Sequence, residues 1–372
     1  MIVDESLELN KLSITIGGEI FEHQRVGGVG RYVVELMSNL KELGHDVRLD
    51  SLFHRNHYLR EFKAPSLYLP IDFRGYESIA TSLARAANRC FITRSRIVHC
   101  SYYRLERFQK HRGPKFFTIY DMIQERIANN LNLMERKKKC ADWADHIFAI
   151  SESTKNDAVN LLNLDPSKIT VTPLATKFCS LTTLNLEQPF PGDSKRKYLL
   201  WVGARHGHKN FRLFVEAFAL SRAAKEGTSI LCFGGPPIAE VEMKIFDSLG
   251  IVRERVQHSS GNDEELQAAY TNALALVYPS IYEGFGIPPL EAMSLGCPVI
   301  VSNTSSLPEV VGKAAILVSP NEREEIAEAI DKITFDSSLR RALIAAGKDQ
   351  AAKFSWRKCA EQTTEVYRRF VS

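Results

Sequence analysis

The feature that most constrains this chain is an apolar run that breaks into a glycine loop and a proline-started helix. Ala273-Leu274-Ala275-Leu276-Val277-Tyr278-Pro279 shows no polar alternation. A run of that kind reads as a parallel strand buried on both faces. Tyr282-Glu283-Gly284-Phe285-Gly286-Ile287-Pro288-Pro289-Leu290-Glu291-Ala292-Met293 follows. Pro288 and Pro289 suit a first helical turn, whose amides lack intrahelical partners anyway. Gly296 ends the helix before the next strand, Pro298-Val299-Ile300-Val301. Strand, glycine loop and helix in that order belong to an α/β fold with a parallel sheet. Free amides and the positive end of the helix dipole converge on such a loop, where an anion can sit.

Two acids flank the loop. Glu283 lies within it, and Glu291 stands about two turns further on. A carboxylate repels phosphate, so each acid needs another task. Glu291 suits hydrogen bonds from a ribose diol, the role acids take in dinucleotide sites. The alternative is a surface acid on an ordinary helix. The Gly-Phe-Gly and the two prolines between the acids favour function.

Glu283 and Glu291, seven residues apart around Gly-Phe-Gly-Ile-Pro-Pro-Leu, resemble the E-x7-E motif of the retaining glycosyltransferases of family 4. The resemblance extends along nearly the whole chain. It implies the GT-B fold, two Rossmann-like domains with parallel sheets facing across a cleft. It also implies a nucleotide-sugar donor.

Length and composition agree with that expectation. At 372 residues the chain is long for one core and comfortable for two domains. A hydrophobic content of 44% and a charged content of 25% are ordinary for a globular protein. The formal charge of +4 is too small to argue for a nucleic-acid partner. No run is long enough to span a membrane, and no signal peptide is expected ahead of the first strand. The seven cysteines are scattered without a CxxC pair, which reads as reduced thiols in a cytoplasmic protein.

The first domain is expected over residues 1–180. Its first strand is Leu12–Ile16, followed by Gly17 and Gly18. Val26-Gly27-Gly28-Val29-Gly30-Arg31-Tyr32 then opens a helix over Tyr32–Leu43, ended by Gly44. A glycine loop alone signals only a tight turn; its place between strand and helix strengthens it. The resemblance puts the amides of Gly27, Gly28 and Gly30 beside donor phosphates or acceptor, with Arg31 either there or solvated. Asp46–Leu49 is a strand, Phe53 to Ser78 shows little periodicity, and Ser78–Asn88 reads as a helix.

Ile97–Cys100 is a strand that leads into Ser101-Tyr102-Tyr103. The family often has a similar His-x-Ser-x-Tyr segment on the acceptor side; a buried core histidine explains His99 as well. Phe116–Ile119 ends in Tyr120-Asp121, where the family commonly has His-Asp. With tyrosine there, imidazole chemistry cannot be carried over. Tyr120 is expected to hold substrate through its hydroxyl. Asp121 positions an acceptor hydroxyl or caps the next segment. Met134–Asp145 is a helix carrying Arg136-Lys137-Lys138-Lys139; these and the basic residues between Arg85 and Lys115 either dock on an anionic membrane or are merely solvated. Ser151 is placed as a helix cap, and Ile169–Leu174 closes the domain.

Residues 176–195 read as a linker, with Pro189, Pro191 and Gly192. The second domain is expected over 195–354, and a last helix, Arg357–Phe370 within 355–372, returns to the first. Tyr198–Val202 is a strand leading into Gly203-Ala204-Arg205-His206-Gly207-His208-Lys209-Asn210 and the helix Phe211–Ala224. Two cations beside a glycine loop are what a diphosphate leaving group needs, so Gly203, Arg205 and Lys209 are assigned to it. Glu264–Asn272 is a helix, and Ser302–Glu309 resembles a family segment whose backbone approaches the sugar or phosphate.

The resemblance therefore implies a retaining hexosyltransferase. The candidate catalytic residues are Glu283, Arg205, Lys209, Asp121 and Tyr120. Donor binding is expected from Gly27, Gly28, Gly30, Gly203, Arg205, Lys209, Gly284, Phe285, Gly286, Ile287 and Glu291. No Asp-x-Asp stands at a strand end, so no metal or other cofactor is expected. Trp201–Phe211 resembles bacterial polysaccharide mannosyltransferases, which favours GDP-mannose, then UDP-glucose. The expected partner is a saccharide acceptor of a surface polysaccharide, lipid-linked or free, with no nucleic acid. A sugar-phosphate synthase or a non-catalytic nucleotide-sugar-binding protein of the same fold are the alternatives.

Overall fold

The computed structural model describes residues 11–25, 27–51, 53–54, 56–61, 67–68, 95–180 and 197–371. Val26, the helix expected over Ser78–Asn88 and most of the 176–195 linker lie outside them. The chain divides into two compact units, Met1–Leu174 with Trp356–Ser372, and Ala175–Ser355. Residues 175–180, expected at the end of the first domain, thus go with the second.

The first unit contains β1 (Ser13–Gly17), β2 (Asp46–Asp50), β3 (Phe53–His54), β4 (Leu67–Tyr68), β5 (Ile97–Cys100), β6 (Lys115–Ile119), β7 (His146–Ala149) and β8 (Ile169–Val171). Six of them form one sheet in the order β2-β1-β5-β6-β7-β8, and β3 pairs with β4 apart from it. Every pairing is parallel. The second unit contains β9 (Tyr198–Val202), β10 (Ser229–Phe233), β11 (Val256–Ser259), β12 (Ala275–Tyr278), β13 (Val299–Ser302) and β14 (Ile316–Val318). Their order is β11-β10-β9-β12-β13-β14, again all parallel. That is the dinucleotide-binding order 3-2-1-4-5-6, in which ligands bind where the strand order reverses. The reversal falls between β9 and β12 in the second sheet and between β1 and β5 in the first.

The apolar runs are explained by their surroundings. Every residue of β10, β12 and β13 is buried, because helices cover both faces of the sheet. Trp201 stacks on Phe214 at 5.8 Å between ring centroids, and Phe218, Ile230, Val277, Ile300 and Ile330 complete this core. In the first unit the C-terminal helix Trp356–Arg369 covers the sheet. Its Tyr367 ring lies 4.6 Å from Phe116, and its Thr364 hydroxyl bonds His45.

Caps set the helix limits that periodicity left open. Helix Leu131–Trp143 starts three residues before Met134 because Asn130 Oδ1 accepts the Leu133 amide at 3.1 Å. Helix Phe211–Leu220 stops short of Ala224 because Ser221 intervenes. The Ser221 hydroxyl donates to the Phe218 carbonyl and accepts the Ala224 amide of the next helix, Arg222–Lys225. Ser151 caps Glu152–Leu162 through the Thr154 amide, as its position indicates.

Candidate active site

The switch point of the second sheet is built from two loops. One follows β9 and contains the 3-10 turn Gly207–Lys209; the other follows β12 and leads to helix Ile287–Ser294. They are stitched together: the Ile281 amide donates to the His208 carbonyl at 2.7 Å. Asn210, left-handed at φ 64°, donates from Nδ2 to the carbonyls of Pro279 and Pro320.

Lys209 and Glu283 meet here. Lys209 Nζ donates to Glu283 Oε1 at 3.0 Å and to the Tyr278 hydroxyl at 2.5 Å. Ser280 Oγ donates to the same carboxylate oxygen at 2.8 Å. Burial opposes ionisation of Glu283, but Lys209 and the Tyr278 hydroxyl outweigh it and hold the carboxyl below its usual range. Burial likewise opposes the Lys209 charge, and Tyr278 and Glu283 raise its pKa in spite of it. The result is a fixed, water-poor ion pair at the ligand end of the sheet, where a cation acts strongly on a bound anion.

Helix Ile287–Ser294 has Pro288 and Pro289 in its first turn, and Gly286 leaves it without a side-chain cap. Gly286 is left-handed at φ 108°, and a Cβ there would stand 2.7 Å from Leu307 Cδ2. Phe285 packs edge-on against Phe354 at 5.8 Å. Glu291 lies inside the helix, 3% exposed, and its Oε2 accepts the Tyr270 hydroxyl at 3.0 Å. Tyr270 was not identified in the sequence; it is 21 residues from Glu291 on another helix, Asp263–Thr271.

Arg205 does not join this group. Its Nε and Nη2 donate to the Glu242 carboxylate at 2.7 and 3.1 Å, and Nη2 also reaches the carbonyls of Pro236 and Pro237. Only Nη1 is buried without a hydrogen-bond partner. Arg205 therefore ties the Gly234-Gly235-Pro236 turn to Gly203-Ala204, and its charge is balanced by Glu242. Gly203 belongs to the same packing: a Cβ on Gly235 would lie 3.2 Å from the Gly203 carbonyl oxygen. The second basic group beside Lys209 is His208, whose Nε2 is 3.9 Å from Glu283 Oε1. Its place directly before Lys209-Asn210 is the signal that finds it.

In the first unit several expectations change. Helix Gly28–Glu42 begins four residues before Tyr32 because Gln24 folds over its start. Gln24 Oε1 accepts the Gly30 amide at 2.9 Å, and added Cβ atoms would meet Gln24 at Gly27 and Asn56 at Gly30. Gly27 and Gly30 thus serve close packing, and the Gly30 amide is already used; Gly28 is exposed. Arg31 lies over the Tyr58 ring at 5.0 Å.

Tyr120 is 3% exposed, and its hydroxyl donates to the Ser101 carbonyl at 2.9 Å while its ring meets Tyr32 edge-on. Its proton is therefore spent inside the fold, contrary to the expectation that it holds a sugar oxygen. Asp121 accepts the Ile123 amide at 3.1 Å and stands 3.7 Å from Lys137 Nζ. His99 is a core residue: its ring bonds the Tyr367 and Thr118 hydroxyls, and burial pushes its pKa down to about 3. The Arg136–Lys139 run is divided between core and surface. Lys137 is fully buried against Glu125, and Lys138 and Lys139 pair with Asp142 and Glu135.

A cluster the sequence did not reveal flanks the carboxyl end of β1. Arg107 donates to Glu22 at 2.5 Å and to Asp50 at 3.2 Å. Glu19 stands beside them, 3% exposed, with Oε2 unpartnered. Burial pushes its pKa up to about 8, against the pull of its own backbone amide and Arg107. Among the described residues no three of His, Cys, Asp or Glu group as metal ligands. Nor is any described helix long and apolar enough to cross a membrane. The described cysteines Cys100, Cys140, Cys232, Cys297 and Cys359 are free and buried.

Two family models match successive parts of the chain: Glycosyltransferase Family 4 over residues 26–176 and Glycosyl transferases group 1 over residues 185–350. The chain belongs to glycosyltransferase family 4. The enzyme is 27% identical over 370 residues to O-antigen chain mannosyltransferase B of Escherichia coli, covering 92% of this chain and 96% of that one. It is 26% identical over 372 residues to the serotype-specific mannosyltransferase WbdA of Escherichia coli; that match covers 92% of this chain but spans 44% of the longer relative. In three dimensions it resembles sucrose-phosphate synthase of Thermosynechococcus elongatus, with a TM-score of 0.74 at 20% identity over 96% of this chain and 99% of that one. The glycosyltransferase thus has the GT-B fold that its E-x7-E motif implied.

Proposed function

We propose that this glycosyltransferase moves a hexosyl unit with retention of configuration, with mannose from GDP-mannose favoured and glucose from UDP-glucose next. The acceptor is a saccharide of a surface polysaccharide, lipid-linked or free, and the reaction runs in the cytoplasm. The observation that carries the reading is the Lys209–Glu283 pair at the switch point of the second sheet. The choice of mannose rests on the mannosyltransferase relatives.

In this reading Lys209, with His208 beside it, stabilises the nucleoside diphosphate as the glycosidic bond to it breaks. The helix that starts at Ile287, with no side-chain cap, adds its first-turn amides to that charge stabilisation, the largest usual term in such chemistry. Glu283 faces a sugar hydroxyl, and Glu291 accepts from the ribose diol. The acceptor hydroxyl attacks from the face the diphosphate leaves, and its proton passes to the departing phosphate. Arg205 contributes by shaping the loop after β9, and Tyr120 by packing.

The test is release of nucleoside diphosphate from a panel of nucleotide sugars, with saccharide and sugar-phosphate acceptors. GDP-mannose turned over fastest, with a saccharide acceptor, supports the reading. Preference for a phosphorylated sugar acceptor would instead mark a sugar-phosphate synthase. Activity is expected to survive exhaustive chelation with EDTA; loss on chelation and recovery with Mg²⁺ or Mn²⁺ would overturn the metal-free mechanism.

A further inference from the structure

The segment after β13 grips the Glu283 loop with three consecutive hydroxyls. Thr304 Oγ1 donates to the Ile281 carbonyl at 3.0 Å. Ser305 Oγ accepts the Glu283 amide at 2.9 Å. Ser306 Oγ, fully buried, shares its proton between the carbonyls of Glu283 at 2.9 Å and Phe285 at 2.8 Å. Leu307 then fills the space that a side chain on Gly286 would need.

Residues 304–306 lie in the turn between β13 and the short helix Leu307–Val311, and Ser305 is left-handed there, at φ 52°, which turns the chain so that all three hydroxyls meet one loop. Both backbone groups of Glu283 are therefore held by adjacent serines, while its carboxylate takes bonds from Lys209 and Ser280. Any rotation of the Glu283 peptide would break a bond to Ser305 or Ser306.

We infer that Thr304, Ser305 and Ser306 are positioning residues for the transfer, fixing where the Glu283 carboxylate stands and, through it, Lys209. The inference rests on the reading of Glu283 as the sugar-facing acid. It gives the Ser302–Glu309 segment a role through its side chains, distinct from the backbone approach the family resemblance implies.

The test uses Ser305→Ala, Ser306→Ala and Ser306→Thr, each in the wild-type and in a Glu283→Gln background. GDP release from GDP-mannose gives kcat, calorimetry gives GDP affinity, and scanning calorimetry checks folding. Each alanine variant is expected to lower kcat about 10–100-fold, since misplacement by about 1 Å can cost on the order of 100-fold. GDP affinity should change less than about threefold, and Ser306→Thr should recover most of the rate. In the Glu283→Gln background the same substitutions should change kcat by less than about twofold, because residues acting through one group are not additive. An equal fold-loss in both backgrounds would show that the serines only hold the fold, and an unchanged kcat would likewise overturn the inference. If the wild-type enzyme releases diphosphate from no nucleotide sugar, it is the proposed function that fails. Hydrogen exchange at the Glu283 amide separates the two failures: equal rates in wild type and Ser305→Ala overturn the claim that Ser305 fixes the Glu283 peptide, whereas slow exchange in wild type and faster exchange in the variant keeps that claim and leaves the failure with the reading of Glu283.

Discussion

Lys209 Nζ and Glu283 Oε1 lie 3.0 Å apart although 74 residues separate them in the chain. The fold makes the pair by placing β9 beside β12 and ending both strands at the same edge of the sheet. Neither residue has another full countercharge among its hydrogen bonds, so each depends on the other. Lys209→Ala should lower kcat about 10²–10³-fold, the usual loss when one stabiliser of developing negative charge is removed. It should also destabilise the second unit by about 1–3 kcal/mol, because a buried carboxylate loses its donor. Steady-state kinetics and thermal melting check the two effects together.

Glu291 and Tyr270 make a second prediction. Glu291→Ala should weaken binding of the free nucleoside diphosphate by about 1.5–3 kcal/mol, the range for hydrogen bonds to a charged group. Tyr270→Phe removes only the hydroxyl that orients Glu291 and should cost about 0.5–1.5 kcal/mol. Titration calorimetry with GDP and UDP reads both; unchanged affinity in Glu291→Ala removes the ribose assignment.

Arg205 and Glu242 should behave as one structural unit. Arg205→Ala and Glu242→Ala should lower stability by similar amounts, and the double variant by little more than either alone. Losses that simply add in denaturant unfolding would show that the two side chains are not coupled.

Glu19 ties stability to pH. Its carboxyl shifts from the ordinary value of 4.5 to about 8 on folding, so the folded enzyme holds the proton more tightly than the unfolded chain. The stability this contributes is fully present below about pH 4.5 and is lost as pH rises towards about 8. Glu19→Gln, which keeps the shape without the titration, should flatten the fall in melting temperature across that window. A wild-type melting curve that is level over the same range would contradict the burial of a protonated acid there.

The legible part of this chain was the part written locally. The apolar runs, the caps at Ser151 and the prolines at 288 and 289 act within a few residues, and they announced both sheets and the loop that carries Glu283. Long-range pairing was not legible. Arg205 looked like a phosphate ligand because nothing near it in sequence shows Glu242, 37 residues away, turning onto it. Tyr120 looked available because Ser101, 19 residues earlier, gave no sign that its carbonyl would take the hydroxyl. The glycines at 27 and 30 looked like an anion loop, whereas Gln24 and Asn56 need their missing side chains. His208 was passed over beside two stronger cations, and only the folded loop brings it towards Glu283.

The configuration of the product tests the account most directly. Proton NMR of the glycoside formed from GDP-α-mannose, followed from the first turnovers, reads the new anomeric centre. Leaving-group stabilisation at Lys209 with attack from the same face predicts an α-linked product from the wild-type enzyme. A β-linked product would mean attack from the opposite face and would contradict the mechanism built on the Lys209–Glu283 pair.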